Sequence, residues 1–373
     1  MGRFYFKVLK EDKSTEARVG EFKTPHGSFK TPCFMPVGTL GAVKLMTPKE
    51  IKELGGEIIL TNIYHLYLRP GISVIKKLGG VHNFTGWVGP IFTDSGGYQV
   101  FSLAKLREIK NEGVVFRSHI DGSEHYFTPQ RVIQYQIDIG ADIITCLDEC
   151  APYPSSRSYT KEAMERTHRW AKLCLQKFSS KTNGRQVLFG ITQGGFYKDL
   201  RKESAKFFKE LPFFGYGIGG LSVGEPKNLT FKMLEIQLSI LPKEKPKHMM
   251  GVGSPAEMLE AISFGIDMFD SVFPTRLARH GTVLTSQGKI NIKSAKYKND
   301  KKPLDEACSC YVCKNFSRAF LRHLFVSEEF LAHRLFTHHN LYFTFNLIKT
   351  VRKAILEGKF AKFKKEFGRR QKL

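Results

Sequence analysis

The sequence predicts an α/β protein built on a parallel eight-stranded (β/α)8 barrel, and three observations predict it. Eight short apolar runs recur between residues 33 and 272, helix-like amphipathic stretches separate most of them, and no Gly-x-Gly-x-x-Gly turn follows any run. The last point argues against a doubly wound open sheet, the alternative for such a pattern.

In order, the expected strands are CFMPVG (33–38), EIILT (57–61), PIFT (90–93), DIITCL (142–147), VLFGIT (187–192), GYGIGG (215–220), HMMGVG (248–253) and IDMFDSV (266–272). TPKEIKELGG reads as a helix with a Thr cap and a Gly stop. TPQRVIQYQIDIGA and SPAEMLEAISFG repeat the plan with Pro at the first helical position. Residues 1–33, opening with the alternating MGRFYFKVLKEDK, read as strands capping the barrel, and 34–285 as the barrel itself. The stretch 106–127 breaks the alternation and reads as an inserted β-hairpin with Asp121-Gly122 in its turn.

Composition narrows the function. Fifty-eight Lys+Arg against 35 Asp+Glu leave a formal charge of +23. Such an excess repels itself unless an anionic partner relieves it, and nucleic acid is the usual one. The charge gathers late: residues 289–302 hold six lysines and one aspartate, and ten basic residues against two glutamates follow from Lys349. No apolar run approaches the roughly 18 residues of a membrane helix, and the N-terminus has no signal-peptide pattern. A cytoplasmic protein is expected. Four scattered cysteines (Cys33, Cys146, Cys150, Cys174) in an odd total of seven argue for a reducing compartment rather than a disulfide framework.

A barrel keeps its chemistry at the carboxyl ends of its strands. Asp94, Asp148 and Asp270 each end or follow a predicted strand, and Gln193 follows VLFGIT in the same way. A lone strand-end aspartate usually caps a turn. Three acids and an amide on one rim point instead to acid/base or carboxylate-nucleophile chemistry. Glycines at 96–97, 194–195 and 219–220 would let backbone approach a flat ligand closely.

Near the C-terminus, DEACSCYVCK gives Cys308, Cys310 and Cys313, a C-x-C-x2-C run. Three thiolates need a fourth ligand to close a structural zinc site, and His323, His333, His338 and His339 are all available. Spacing does not choose among them.

The motifs together resemble one family, the bacterial tRNA-guanine transglycosylases (queuine tRNA-ribosyltransferases). FTDSGGYQVFSL (92–103), DECAPYP (148–154), FGITQGG (189–195), GIGGLSVGE (217–225), MGVGSP (250–255), MFDSVFPTR (268–276) and CSCYVC with the later His339-Asn340 match in the family's order, over essentially the whole chain. The resemblance implies a TIM-type barrel with an inserted zinc-binding subdomain, here 286–345, followed by a basic C-terminal helix, 346–373. It implies exchange of the wobble guanine of GUN-anticodon tRNAs for 7-aminomethyl-7-deazaguanine, in queuosine biosynthesis.

By the same match Asp270 is the nucleophile on the ribose C1′ and Asp94 the general acid/base. Asp148, Gln193 and the Gly220 backbone would read the base, beside Ser95 and Cys150. Tyr98 and Met250 would sandwich the ring, and Leu221 would offer a carbonyl to the aminomethyl group. Val223, where eukaryotic members have glycine, and Cys150 favour the smaller base. Ser222 and Ser271 are small departures from alanine and cysteine. The zinc ligands resolve by resemblance to Cys308, Cys310, Cys313 and His339, one structural Zn2+ per subunit. Arg276 and Arg279 match arginines that contact the anticodon loop, and the family works as a homodimer. Two other readings are an archaeal-type D-arm transglycosylase, which carries an extra C-terminal domain, and a non-catalytic zinc-containing RNA-binding protein.

Overall fold

The computed structural model describes residues 3–103, 106–181 and 184–371; the remaining positions of the predicted terminal segments, 1–2 and 372–373, lie outside them. Three antiparallel strands come first: β1 (Tyr5–Glu11), β2 (Arg18–Thr24) and β3 (Gly27–Thr31), in the order β1-β2-β3. The barrel opens with β4 (Cys33–Gly38), β5 (Ile59–Asn62) and β6 (Ile91–Asp94). An excursion through β7 (Arg107–Ile109), β8 (Val114–Arg117) and β9 (Glu124–Phe127) follows. The barrel then completes with β10 (Ile143–Thr145), β11 (Val187–Thr192), β12 (Gly215–Ile218), β13 (Lys247–Met249) and β14 (Met268–Ser271). β14 pairs in parallel with β4, placing Asp270 opposite Met35, and this pairing closes the ring of eight. The (β/α)8 expectation holds.

The barrel strands are apolar throughout because both faces are covered. Successive side chains still alternate, inward and outward. Met35, Leu60, Phe92, Ile143, Phe189 and Met268 fill the barrel interior, and Phe22 and Phe29 of the N-terminal sheet join them. Their neighbours Phe34, Ile59, Ile91, Ile144, Leu188 and Phe269 belong to the layer beneath the outer helices. Parity therefore decides which residues reach the barrel mouth. Asp94 shares the inward face with Phe92, Asp270 with Met268, and Gln193 with Phe189. On β12 the inward positions are Gly215, Gly217 and continuing Gly219. A methyl group at those positions would meet the Phe189 ring, Met250 Sδ and Gln193 Nε2 at 2.5, 3.4 and 2.6 Å, so side chains from neighbouring strands occupy the space.

At the foot of β14, Asp267 is fully buried and takes a two-pronged contact from Arg18, at 2.9 Å from Nε and 2.6 Å from Nη2. This pair ties the N-terminal sheet to the barrel. A second tie is the buried Asp142, which accepts from Ile91 N at 2.9 Å and faces His26 Nδ1 and His82 Nε2 at 2.7 and 3.1 Å.

The excursion after β6 differs from the expected hairpin. It is a three-stranded meander, with Asp121-Gly122 turning between β8 and β9 and Asp121 Oδ1 accepting from Ser123 N and Oγ. The extra strand, Arg-Glu-Ile, is short and mostly exposed, so it lacks the apolar alternation that would mark it.

After β14 the chain runs through a helix (Phe273–Arg279), a hairpin of β15 (Thr282–Thr285) and β16 (Gly288–Asn291), and the cysteine segment. It returns in a 27-residue helix, Phe330–Leu356. Phe345, Leu347, Ile348, Val351 and Ile355 of that helix join the barrel's outer layer. The cysteine segment is thus inserted into the last β/α unit. The long helix continues through residue 345, and the β15–β16 turn spans residues 285 and 286, two positions where the sequence reading divides segments. A final helix, Phe360–Gln371, packs through Phe360 and Phe367. Among the described residues no helix is long and apolar enough to cross a membrane.

Candidate active site and metal centre

Asp94, Asp148, Gln193 and Asp270 converge on the mouth of the barrel at the carboxyl ends of β6, β10, β11 and β14. Asp94 is buried, with Asn62 Nδ2 at 2.7 Å and Gln99 Nε2 at 3.3 Å donating to Oδ2 and Gly96 N donating to Oδ1. Burial first, and the charge of Asp270 second, push its pKa up to about 7. A carboxyl so tuned can hold or release a proton near neutrality.

That tuning predicts a pH-dependent stability. An unfolded aspartate titrates near ~3.9. The folded Asp94, raised to about 7, binds its proton more tightly, so its contribution is complete below the unfolded value and is lost as pH rises through 7. Asp94→Asn is expected to gain thermal stability over the wild type on going from pH 5 to pH 8. Parallel melting curves at the two pH values would refute the assignment.

Asp270 is partly exposed, at 15%. Its Oδ1 accepts from Gly251 N at 3.0 Å and lies 2.7 Å from Nε2 of the fully buried His248. Asp148 is buried, and its Oδ2 accepts from Gln193 Nε2 at 2.7 Å. Burial raises its pKa to about 6, against the lowering effect of Gln193 and Ser95. At neutral pH it is mostly ionised, a receptor for paired N–H donors.

Around these acids, Gly97 packs against Asp148, since a methyl group there would lie 2.9 Å from Oδ1. Gly220 (φ +64°) lies against Gln193 in the same way, at 2.4 Å from Oε1. Ser95 and Leu221 are buried, Cys150, Val223 and Met250 half-buried, and Tyr98 is 53% exposed at the rim. Burial pushes the Cys150 thiol up to about 12, leaving it a neutral wall rather than a nucleophile. Arg276 is exposed. Arg279 is half-buried, and its Nη1 has no partner among the described residues.

The sequence pattern did not single out five supporting residues. Asn62 and Gln99 hold Asp94. Glu225 accepts from Ser222 N at 2.6 Å and Val223 N at 2.9 Å, which orders the loop after β12. Arg201, fully buried, donates to Gly195 O, Gly219 O and Gly220 O and so fixes the glycine wall of the pocket. His248 could have been found by parity: it is a polar residue at an inward position of β13. Arg201 gave no signal, because it sits in a helix (Lys198–Lys209) rich in basic residues.

The group that could hold a metal ion is Cys308, Cys310, Cys313 and His339, whose ligand atoms lie within 4.8 Å of one another. His339 Nδ1 stands 3.8, 3.4 and 3.3 Å from the three Sγ atoms. A tetrahedral ion with ordinary sulfur and nitrogen bond lengths has S···N edges of about 3.6 Å, so the group fits one. His339 Nε2 lies 2.7 Å from Leu284 O, the outer contact that turns Nδ1 toward the thiolates. The next residue, Asn340, accepts from Leu284 N and donates to Pro274 O and Thr282 O, fastening this unit to the segment just beyond Asp270.

His26, His82 and Asp142 form a second cluster at the opposite end of the barrel. The two rings stack at 3.6 Å, 18° from parallel, so their in-plane lone pairs do not meet at one point. They form a hydrogen-bonded clasp on the β2–β3 turn.

A profile of the family described as queuine tRNA-ribosyltransferase matches residues 12–372. The queuine tRNA-ribosyltransferase of Thermoanaerobacter sp. (strain X514) is 54% identical over 367 residues, 98% of this chain and 97% of its own length. That of Ruminiclostridium cellulolyticum is 54% identical over 367 residues, 98% of each chain. That of Halothermothrix orenii is 52% identical over 365 residues, 98% of this chain and 97% of its own. The match spans nearly the whole chain and the relatives are 52–54% identical over 97–98% of their own length, so the chain belongs to the queuine tRNA-ribosyltransferase family of enzymes.

Proposed function

We propose that the chain exchanges the wobble guanine of GUN-anticodon tRNAs for 7-aminomethyl-7-deazaguanine by two displacements at the ribose C1′. The observation that carries this is the pairing of two carboxylates with different tasks. Asp94 is tuned to about 7 by burial and by its neighbour, while Asp270 stands at the open mouth with Oδ1 held by donors.

In the first displacement an Asp270 oxygen bonds to C1′ as the bond to the purine N9 breaks. The electron pair leaves with the base and Asp94 supplies a proton to it. In the second, the incoming base bonds to C1′, gives its proton to Asp94, and Asp270 leaves. Two inversions retain the anomeric configuration. A neighbouring carboxylate also offsets the positive charge that develops at C1′.

The pocket suits a flat base. Asp148 accepts the donors of the Watson–Crick edge, while Gln193 and Gly220 N–H receive the carbonyl oxygen. Tyr98 and Met250 supply the two stacking faces, with Ser95 beside them. The Leu221 carbonyl receives the aminomethyl group, and Val223 and Cys150 favour the smaller base. The exposed Arg276 and the half-buried Arg279 contact the anticodon loop, and the basic surface binds phosphates. The Cys3His group holds a structural Zn2+, with all four positions filled by protein. The working form is a cytoplasmic homodimer.

The test is incorporation of radiolabelled guanine into GUN tRNA. Label should enter, and the aminomethyl base should compete it out. Entry of label into the D-arm, or none at all, would overturn the proposal.

A further inference from the structure

Asp270 is held from one side. Both of its protein donors, Gly251 N–H and His248 Nε2, act on Oδ1, and among the described residues Oδ2 accepts no hydrogen bond. A nitrogen 2.7 Å from a carboxylate oxygen carries the shared proton as donor. His248 reaches this position because it points into the barrel from β13, while Met249 faces the outer layer. Its ring is fully buried and sits edge-on to Phe92, with centroids 4.8 Å apart, and among the described residues Nδ1 has no hydrogen-bond partner. Among the described residues no competing hydrogen bond turns the ring away from Asp270.

We propose that His248 is a positioning residue for base exchange: its Nε2–H pins Oδ1 and so assigns Oδ2 as the oxygen that bonds to C1′. This rests on the reading of Asp270 as the nucleophile. A carboxylate rotates in a broad, shallow well, so an unpinned one presents both oxygens over a range of directions. Donors draw electron density from the oxygen they bind, whereas Oδ2 keeps its lone pairs.

The same contacts serve both displacements. As Oδ2–C1′ forms and C1′–N9 breaks, Oδ1 becomes the ester carbonyl oxygen without moving from its donors. As C1′–N9 of the incoming base forms, the Oδ2–C1′ electron pair returns to the carboxylate, and the two N–H groups stabilise the returning charge.

The test compares three substitutions by steady-state and single-turnover kinetics, with melting curves as a folding check. His248→Leu removes the donor at similar volume. It should lower kcat by about 10²-fold, the usual effect of mispositioning a reacting group, while KM for tRNA and for the base stays within about threefold. His248→Gln carries an amide nitrogen near the place of Nε2 and should recover kcat to within about tenfold of wild type. If the leucine variant does not fold, His248→Asn, too short to reach Oδ1, carries the same expectation. Wild-type kcat in the donorless variant, or equal impairment of the Leu and Gln variants, overturns the proposal. Asp270→Asn is run alongside. If it still exchanges base, the nucleophile reading has failed and this inference goes with it. If it is inactive while His248→Leu is unimpaired, only the inference fails.

Discussion

Asp270→Asn is expected to abolish formation of a covalent tRNA adduct and to lower base exchange by roughly 10⁴-fold, the scale on which removal of a catalytic carboxylate or nucleophile acts. Asparagine is the informative replacement. Its oxygen can still accept from Gly251 N–H and His248 Nε2, so the mouth of the barrel keeps its geometry while the proposed nucleophile is lost. The site is partly exposed and lies above the packed interior, so melting temperature and bound metal should not change. Denaturing gels of enzyme mixed with tRNA and guanine read the adduct, and labelled guanine reads the exchange. An adduct at wild-type yield would remove Asp270 from the mechanism.

Cys310→Ser should act on a different property. With one buried thiolate gone, metal analysis should find well below one ion per chain. Binding energies of roughly 10–16 kcal/mol attend structural zinc in small modules, comparable with or above the 5–15 kcal/mol that holds a whole domain. Loss of the ion is therefore enough to unfold the segment from β15 to the start of the long helix. The barrel should persist, because the later half of that helix is buried against it by Leu347, Ile348, Val351 and Ile355. The expected result is two thermal transitions in place of one and weakened tRNA binding. A full complement of zinc in the purified variant would dismiss the site.

Burial pattern explains what could be read in advance. All eight barrel strands were legible because strands covered on both faces must be apolar, and the glycine-rich ends marked where they stop. Their limits were less so. DIITCL pairs as a strand over Ile143–Thr145, although Asp142 N donates to Ile91 O and Asp142 O accepts from Val187 N at its near end. The three acids were legible because each ends or follows a predicted strand. Arg201, Asn62 and Glu225 were not, because each acts through contacts between segments distant in sequence or within one loop, which no local pattern records; His248 carried a signal only in its inward position on β13. The choice of His339 over His338 follows from helix phase: adjacent residues point about 100° apart, and only His339 is turned toward both the thiolates and Leu284 O.

The eighth barrel strand carries two aspartates three residues apart, about 10 Å along an extended chain. Asp267 is sealed at its foot by Arg18, and Asp270 stands at its tip with Oδ1 held and its side chain partly exposed. One strand thus separates durability from reactivity by its own length. A change of substrate can be sought among tip residues such as Cys150 and Val223 without drawing on the contacts that keep the barrel closed. Descendants of this chain could therefore change what they bind while inheriting the same foundation.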